Sequence, residues 1–199
     1  TKESLNKLQG FGNTIIPVTS GELASGLVGE GRMAEPEDIL AFIENDLLSA
    51  LPLRGKKVLI TAGPTFEAID PVRFIGNHSS GKMGFAIAKT AANLGAEVIL
   101  IAGPSAETIQ HSFVKRIDVK SAEEMYTQAH LYFKDTDIAI LSAAVADYRP
   151  KNVAAEKIKK KDATIEIVLE KTKDILASLG EIKEHQLLVG FALETNNEA

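Results

Sequence analysis

Residues 76–83 read GNHSSGKM, with glycines and a lysine at the spacing of a phosphate-binding loop. The Walker A pattern is G-x-x-x-x-G-K followed by Ser or Thr, whose hydroxyl sits on magnesium. Met83 occupies that last position and cannot place a hydroxyl on a metal. Ser79, Ser80 and Gly81 still stand just ahead of a predicted helix, whose free N–H groups and dipole attract an anion. Gly81 and Gly84 permit close backbone approach, and Lys82 adds charge. The same residues also fit a surface loop that caps a helix with serine, and spacing alone leaves both readings open. The long polar loop ahead of the helix favours function, because compact folds seldom keep such loops idle.

Two other segments could act on a charged ligand. AAVADY puts Asp147 at a strand end among small residues that leave room for a ligand. An aspartate there can hold magnesium, a sugar or a base, or simply cap a turn. EKIKKKD carries Lys157, Lys159, Lys160 and Lys161. A solvated charge run is the bland reading. On a flap that follows Asp147, such lysines could stabilise charge on a transferring phosphoryl group. His78, His111, His130 and His185 are scattered without metal-ligand spacing, and no Ser-His-Asp arrangement can be argued. AGPT, residues 62–65, lacks G-x-G-x-x-G behind it, which disfavours a dinucleotide site.

The 199 residues suffice for one full domain and part of a second. Net charge is −5, which argues against a nucleic-acid partner. There is no cysteine, hence no disulfide and no thiolate zinc site. No apolar run approaches the length of a membrane helix, so no membrane partner is expected, and a cytoplasmic protein is the expectation. Residues 1–54 read apart from the rest. TIIPV (14–18) looks strand-like, SGELASGLVGEG (20–31) like a glycine-rich loop, and residues 33–51 like a helix with Pro36 at its first position. Ile39, Leu40, Ile43, Leu47 and Leu48 form an apolar stripe on that helix.

From Gly55 strands alternate with helices. KVLITA (57–62), EVILIAG (97–103) and LLVGFALET (187–195) read as buried parallel strands. FVKRIDV (113–119) reads as a strand nearer an edge, DIAILSAAVAD (137–147) begins as a strand, and TIEIVLE (164–170) reads as a strand on a flap or edge. Helices are expected over about 82–94, from a Ser121/Glu124 capping box to about Phe133, and within KDILASLGEIK (173–183). The order predicts an α/β fold: a doubly wound, mostly parallel, Rossmann-like sheet with helices on both faces and a flap. Ligands of such folds bind beyond the carboxyl ends of the strands, where residues 62–82, SAAVADYRP and ETNN would lie.

Together VLITAGPTFEAIDPVRFIGNHSSGKMGFAIA, AAVADYRP, EKIKK and GFALETNN resemble the phosphopantothenoylcysteine synthetase domain of the bacterial bifunctional coenzyme A biosynthesis flavoproteins, in order over residues 55–199. SGELASGLVGEGRMAEP (20–36) resembles the end of the decarboxylase domain that precedes it in those proteins, so 1–54 is expected to be a remnant of that domain plus a linker helix. The resemblance implies a ligase. The carboxylate of 4′-phosphopantothenate attacks the α-phosphate of CTP, with Mg2+, giving an acyl-cytidylate and pyrophosphate; the amine of L-cysteine then displaces CMP. It further implies that Asn77 holds the acyl-cytidylate and that Lys157 stabilises its formation and contacts the nucleotide. Asp147, Thr172, Lys173, Asp174, Ile175 and Phe191 would bind CTP, Asp147 with the metal, while Ala143 lines the nucleotide pocket and Arg73 helps bind substrate. A homodimer through this domain is implied as well. Ser25 stands where the decarboxylase motif has its catalytic cysteine, so neither decarboxylation nor FMN is expected of this chain. The family pattern also continues past Ala199 with basic residues, which implies a domain cut at its C-terminus. Nothing at the strand ends separates cytosine from adenine. An ATP-using ligase and a non-catalytic nucleotide-binding or assembly module are therefore the competing readings.

Overall fold

The computed structural model describes residues 2–22, 28–159 and 164–193. The chain divides into two compact units, Thr1–Leu51 and Pro52–Ala199. The first holds α1 (Lys2–Gly10), the antiparallel pair β1 (Thr19–Glu22) and β2 (Val28–Arg32), and α2 (Pro36–Ser49). TIIPV forms no strand: pairing begins at Thr19, beyond Pro17, which has no N–H to give a ladder. Within the expected loop over 20–31, the described residues instead pair as β1 and β2. Pro36 does open α2, with Glu37 and Asp38 in its first turn complementing the dipole. Its stripe leaves Leu40, Ile43 and Leu47 exposed.

The second unit is built on five parallel strands in the order β11-β8-β3-β6-β7. They are β3 (Lys57–Ala62), β6 (Glu97–Ala102), β7 (Val114–Asp118), β8 (Ile138–Leu141) and β11 (Leu187–Gly190). β7 is an edge strand, as its alternation predicts. Along β3, Val58, Ile60 and Ala62 face α3 (Lys82–Asn93), while Leu59 faces α4 (Ala122–Phe133) and α5 (Ile175–Glu181). Both sides of the strand are thus buried, which is why its sequence is a continuous apolar run. Gly95, with φ +94, ends the α3 segment.

Four expectations need correction. The loop 63–81 contains a short antiparallel hairpin, β4 (Phe66–Ala68) and β5 (Phe74–Gly76), secured by stacked Phe66 and Phe74 rings 3.9 Å apart. Strand β9 (Tyr148–Pro150) follows Asp147, and only Leu169–Lys171 of the TIEIVLE region pairs with it, as β10. Residues 164–168 carry no strand, their Ile165 and Val168 being exposed rather than packed on a face. The strand of 187–195 is shorter than expected, ending at Gly190. At α4 the Ser121 hydroxyl accepts from the Glu124 N–H, but the Glu124 carboxylate accepts from the Lys120 N–H, one residue outside a standard capping box. Among the described residues no helix is long and apolar enough to cross a membrane.

Candidate functional site

The strand order reverses between β3 and β8. In doubly wound folds the loops leaving two such strands part and leave a crevice at their carboxyl ends. Here the backbone holds the first step of both loops together. Pro64 bridges Ala144 in parallel, the Ala144 N–H donates to the Gly63 carbonyl at 2.8 Å, and the Ala146 N–H donates to the buried Thr65 hydroxyl at 2.9 Å. Gly63 (φ +79) and Gly81 (φ +82) meet here: a Cβ on Gly81 would stand 3.3 Å from the Gly63 backbone.

The β4–β5 hairpin rises from this junction. Buried Glu67 accepts the Ala122 N–H at 2.7 Å, anchoring the hairpin to the start of α4. At its exit the Asn77 carboxamide donates to the Val145 carbonyl at 2.9 Å, joining the 77–82 loop to the segment that leads to Asp147. In the loop itself the Ser79 and Ser80 hydroxyls accept from the Gly81 and Lys82 N–H groups, both at 3.3 Å, and the Ser105 hydroxyl donates to the Ser80 carbonyl. The serines therefore occupy part of the helix terminus that an anion would use.

The turn of the hairpin holds a residue that sequence reasoning missed. Asp70 is buried, and one of its oxygens accepts the Val72 and Arg73 N–H groups, each at 2.8 Å. Its other oxygen accepts Arg73 Nη1 at 2.7 Å and the Ile158 N–H at 3.1 Å. The Arg73 guanidinium also reaches the Ile158 carbonyl, at 3.3 and 3.4 Å. Burial by itself would raise the Asp70 pKa. The three N–H donors and the Arg73 charge outweigh it and hold the carboxyl below its ordinary value. The Asp-Pro pair at 70–71 was a legible turn signal, but not that its carboxylate would reach residue 158.

Residues 53–199 match the family model of the DNA/pantothenate metabolism flavoprotein C-terminal domain. The chain belongs to that family. Over 198 residues it is 46% identical to the coenzyme A biosynthesis bifunctional protein CoaBC of Bacillus subtilis, matching 98% of this chain and 49% of that protein. It is 50% identical over 203 residues to a cysteine/cysteine sulfinic acid decarboxylase of an unknown prokaryotic organism, matching all of this chain and 56% of that protein. The chain thus spans about half the length of the curated relatives it matches. A crystal structure of the C-terminal domain of a CoaBC protein superposes with TM-score 0.65 at 51% identity, over 74% of this chain and 69% of that one.

On this flavoprotein C-terminal domain the expected site residues fall into three groups. Asn77, Ala143, Asp147, Arg73 and Lys157 lie on segments that hydrogen bonds join beyond the carboxyl ends of β3 and β8. Thr172 to Ile175 follow β10. The Thr172 hydroxyl donates to the Ala146 carbonyl at 2.7 Å, and its N–H to the Asp147 carbonyl at 2.9 Å. Lys173 pairs with Glu123 at 2.6 Å and lies over the Tyr126 ring. Asp174 caps α5 through the Ala177 N–H, and Ile175 is buried in the core. Phe191, just past β11, is exposed. Ser25, Lys160, Lys161 and the ETNN residues lie outside the described residues. Among the described residues no three carboxylate or histidine groups gather as a metal site. One carboxylate suits a magnesium ion that arrives on nucleotide phosphates, since that ion keeps its waters and takes one or two protein carboxylates.

Proposed function

We propose that the chain carries the phosphopantothenate–cysteine ligase activity of coenzyme A biosynthesis, with CTP as the activating nucleotide and an acyl-cytidylate between the two half-reactions. The observation that supports it best is that hydrogen bonds tie Asn77 to the segment leading to Asp147, and the hairpin ahead of Asn77 to the residue after Lys157. Identity of 44–48% to proteins named CoaBC supports the same reading.

The chemistry needs activation because an amine does not displace oxide from a carboxylate. In the first step the phosphopantothenate carboxylate attacks the α-phosphate and pyrophosphate leaves. Lys157 offsets the charge that gathers on the non-bridging oxygens. In the second, the cysteine amine attacks the acyl carbon and CMP departs. Asn77 steadies the intermediate from the loop that its own bond to Val145 holds in place. Asp147 would ligate magnesium carried in with the triphosphate. Arg73 contributes at the hairpin turn, and the exposed Val72 and Phe74 of the same hairpin suit a homodimer contact.

The test is pyrophosphate release and amide formation by the full natural polypeptide that carries this sequence, supplied with CTP or ATP, phosphopantothenate and cysteine. Turnover with CTP is expected. Turnover with ATP alone would change the nucleotide, and binding without turnover would mark a non-catalytic module.

A further inference from the structure

Asp70 is a charged side chain with no exposed surface, set in a turn of a surface hairpin. Its own turn requires only one oxygen, the one that takes the Val72 and Arg73 N–H groups. The second oxygen is committed across 88 residues of sequence, to the Ile158 N–H. Arg73, fixed against that same oxygen, takes the Ile158 carbonyl. Both polar groups of one residue are thus gripped by one ion pair, immediately after Lys157. Four residues earlier the Ala154 N–H donates to the Ile69 carbonyl at 3.0 Å, so the same turn holds the segment on both sides of Lys157.

We propose that Asp70 is a positioning residue for Lys157: with Arg73 it clamps the Ile158 peptide and so fixes the backbone from which Lys157 meets the nucleotide. The inference rests on the ligase reading above. A long, exposed lysine has many rotamers, and a donor aimed at developing charge is effective only if its base does not move. The clamp supplies that fixed base.

Asp70→Asn cuts this arrangement selectively. The amide oxygen can still accept the Val72 and Arg73 N–H groups, so the turn survives. The amide NH2 then faces the Ile158 N–H and the Arg73 guanidinium, donor against donor. In the full natural polypeptide, hydrogen exchange at the Ile158 amide should quicken about tenfold or more while other amides of the hairpin stay protected. Acyl-cytidylate formation, followed by rapid quench, should slow about 10- to 100-fold. Capture of preformed acyl-cytidylate by cysteine should stay within about twofold of wild type. A wild-type first step, or an equal loss in both half-reactions, would overturn the assignment. Should Asp70→Asn fail to fold, an ester in place of the Lys157–Ile158 amide removes only the N–H that Asp70 accepts, and Ile158→Ala keeps it. Slowing by the ester but not by alanine supports the clamp, and equal effects overturn it. If wild type forms no acyl-nucleotide at all, the ligase reading fails and takes the role of Asp70 with it. Unchanged exchange at Ile158 in Asp70→Asn refutes the clamp alone.

Discussion

Asn77 and Lys157 carry the sharpest predictions because each is assigned to one half-reaction. Asn77→Asp should let acyl-cytidylate form and accumulate, since a carboxylate can no longer donate to the Val145 carbonyl and repels phosphate. Rapid quench should show the trapped intermediate and a loss of about 10²-fold in its capture. Lys157→Gln should instead abolish the intermediate, slowing the first step by about 10²–10³-fold, the range for a lost donor at developing charge. Lys159→Gln in the same assay separates a placed lysine from a diffuse basic patch: equal losses at 157 and 159 would favour the patch. At this scale the sequence was partly misleading. Gly76 and Gly81 fall on a Walker spacing, yet each is held by a local requirement. A Cβ on Gly76 would meet the Thr65 carbonyl and the Phe66 ring at 2.7 Å, and Gly81 needs its positive φ beside Gly63. Asp70 could not be read in advance, because its partner is distant in sequence and is a backbone group.

Among the elements, α3 packs closely on the sheet at Gly84. A Cβ on Gly84 would collide with the Ala62 Cβ and come within 2.7 Å of the Ser142 hydroxyl. Gly84→Ala should destabilise the domain by about 1–3 kcal/mol through overpacking, read as a lower midpoint in urea with unchanged slope. It should also disturb the candidate site, since α3 begins at the 77–82 loop. Thr65→Val is nearly isosteric but strips the acceptor from the buried Ala146 N–H, at a cost of about 1–3 kcal/mol. The sheet strands were legible because burial on both faces writes continuous apolar runs; the extent of α3 was legible too, but not the face it buries, which is Gly84, Phe85, Ala88, Ala91 and Ala92 while Met83, Ala86, Thr90 and Leu94 are exposed. The β4–β5 and β9–β10 pairs were not legible. Three-residue strands have no period to detect, and their stability comes from side-chain contacts such as Phe66 on Phe74 and Arg149 with Glu170. The alternation in TIEIVLE misled for the converse reason: alternation specifies a strand only where a partner is available.

For the molecule as a whole, acid should act at both ends of the sheet. Asp137 accepts the Lys57 N–H at 2.8 Å and Lys56 Nζ at 3.1 Å, and these bonds hold its carboxyl below its ordinary value of 3.8. Asp70 is lowered as well, at the opposite end. A carboxyl depressed by folding stabilises fully above its unfolded value and loses that contribution as pH falls through its folded value. The thermal midpoint should therefore hold from neutrality to about pH 5 and fall increasingly steeply below 3.8. Asp137→Asn should lower the midpoint at pH 7 and narrow its gap from wild type at pH 3. Melting curves that stay parallel across that range would contradict the assignment.

The strand order has a consequence for how the protein is made. β3 is the first of the five sheet strands to be synthesised, and it lies at the centre. β6 soon covers one of its edges, but the other must wait for β8, which begins at Ile138. At about 5–20 residues per second those roughly 75 intervening residues take the ribosome on the order of 4–15 s. Throughout that interval the N–H and C=O groups along Val58, Leu59 and Ile60 present an open, apolar edge to every other nascent chain nearby. Polysome crowding and slow codons between Ala62 and Ile138 should therefore govern the soluble yield of this domain more strongly than its final stability does.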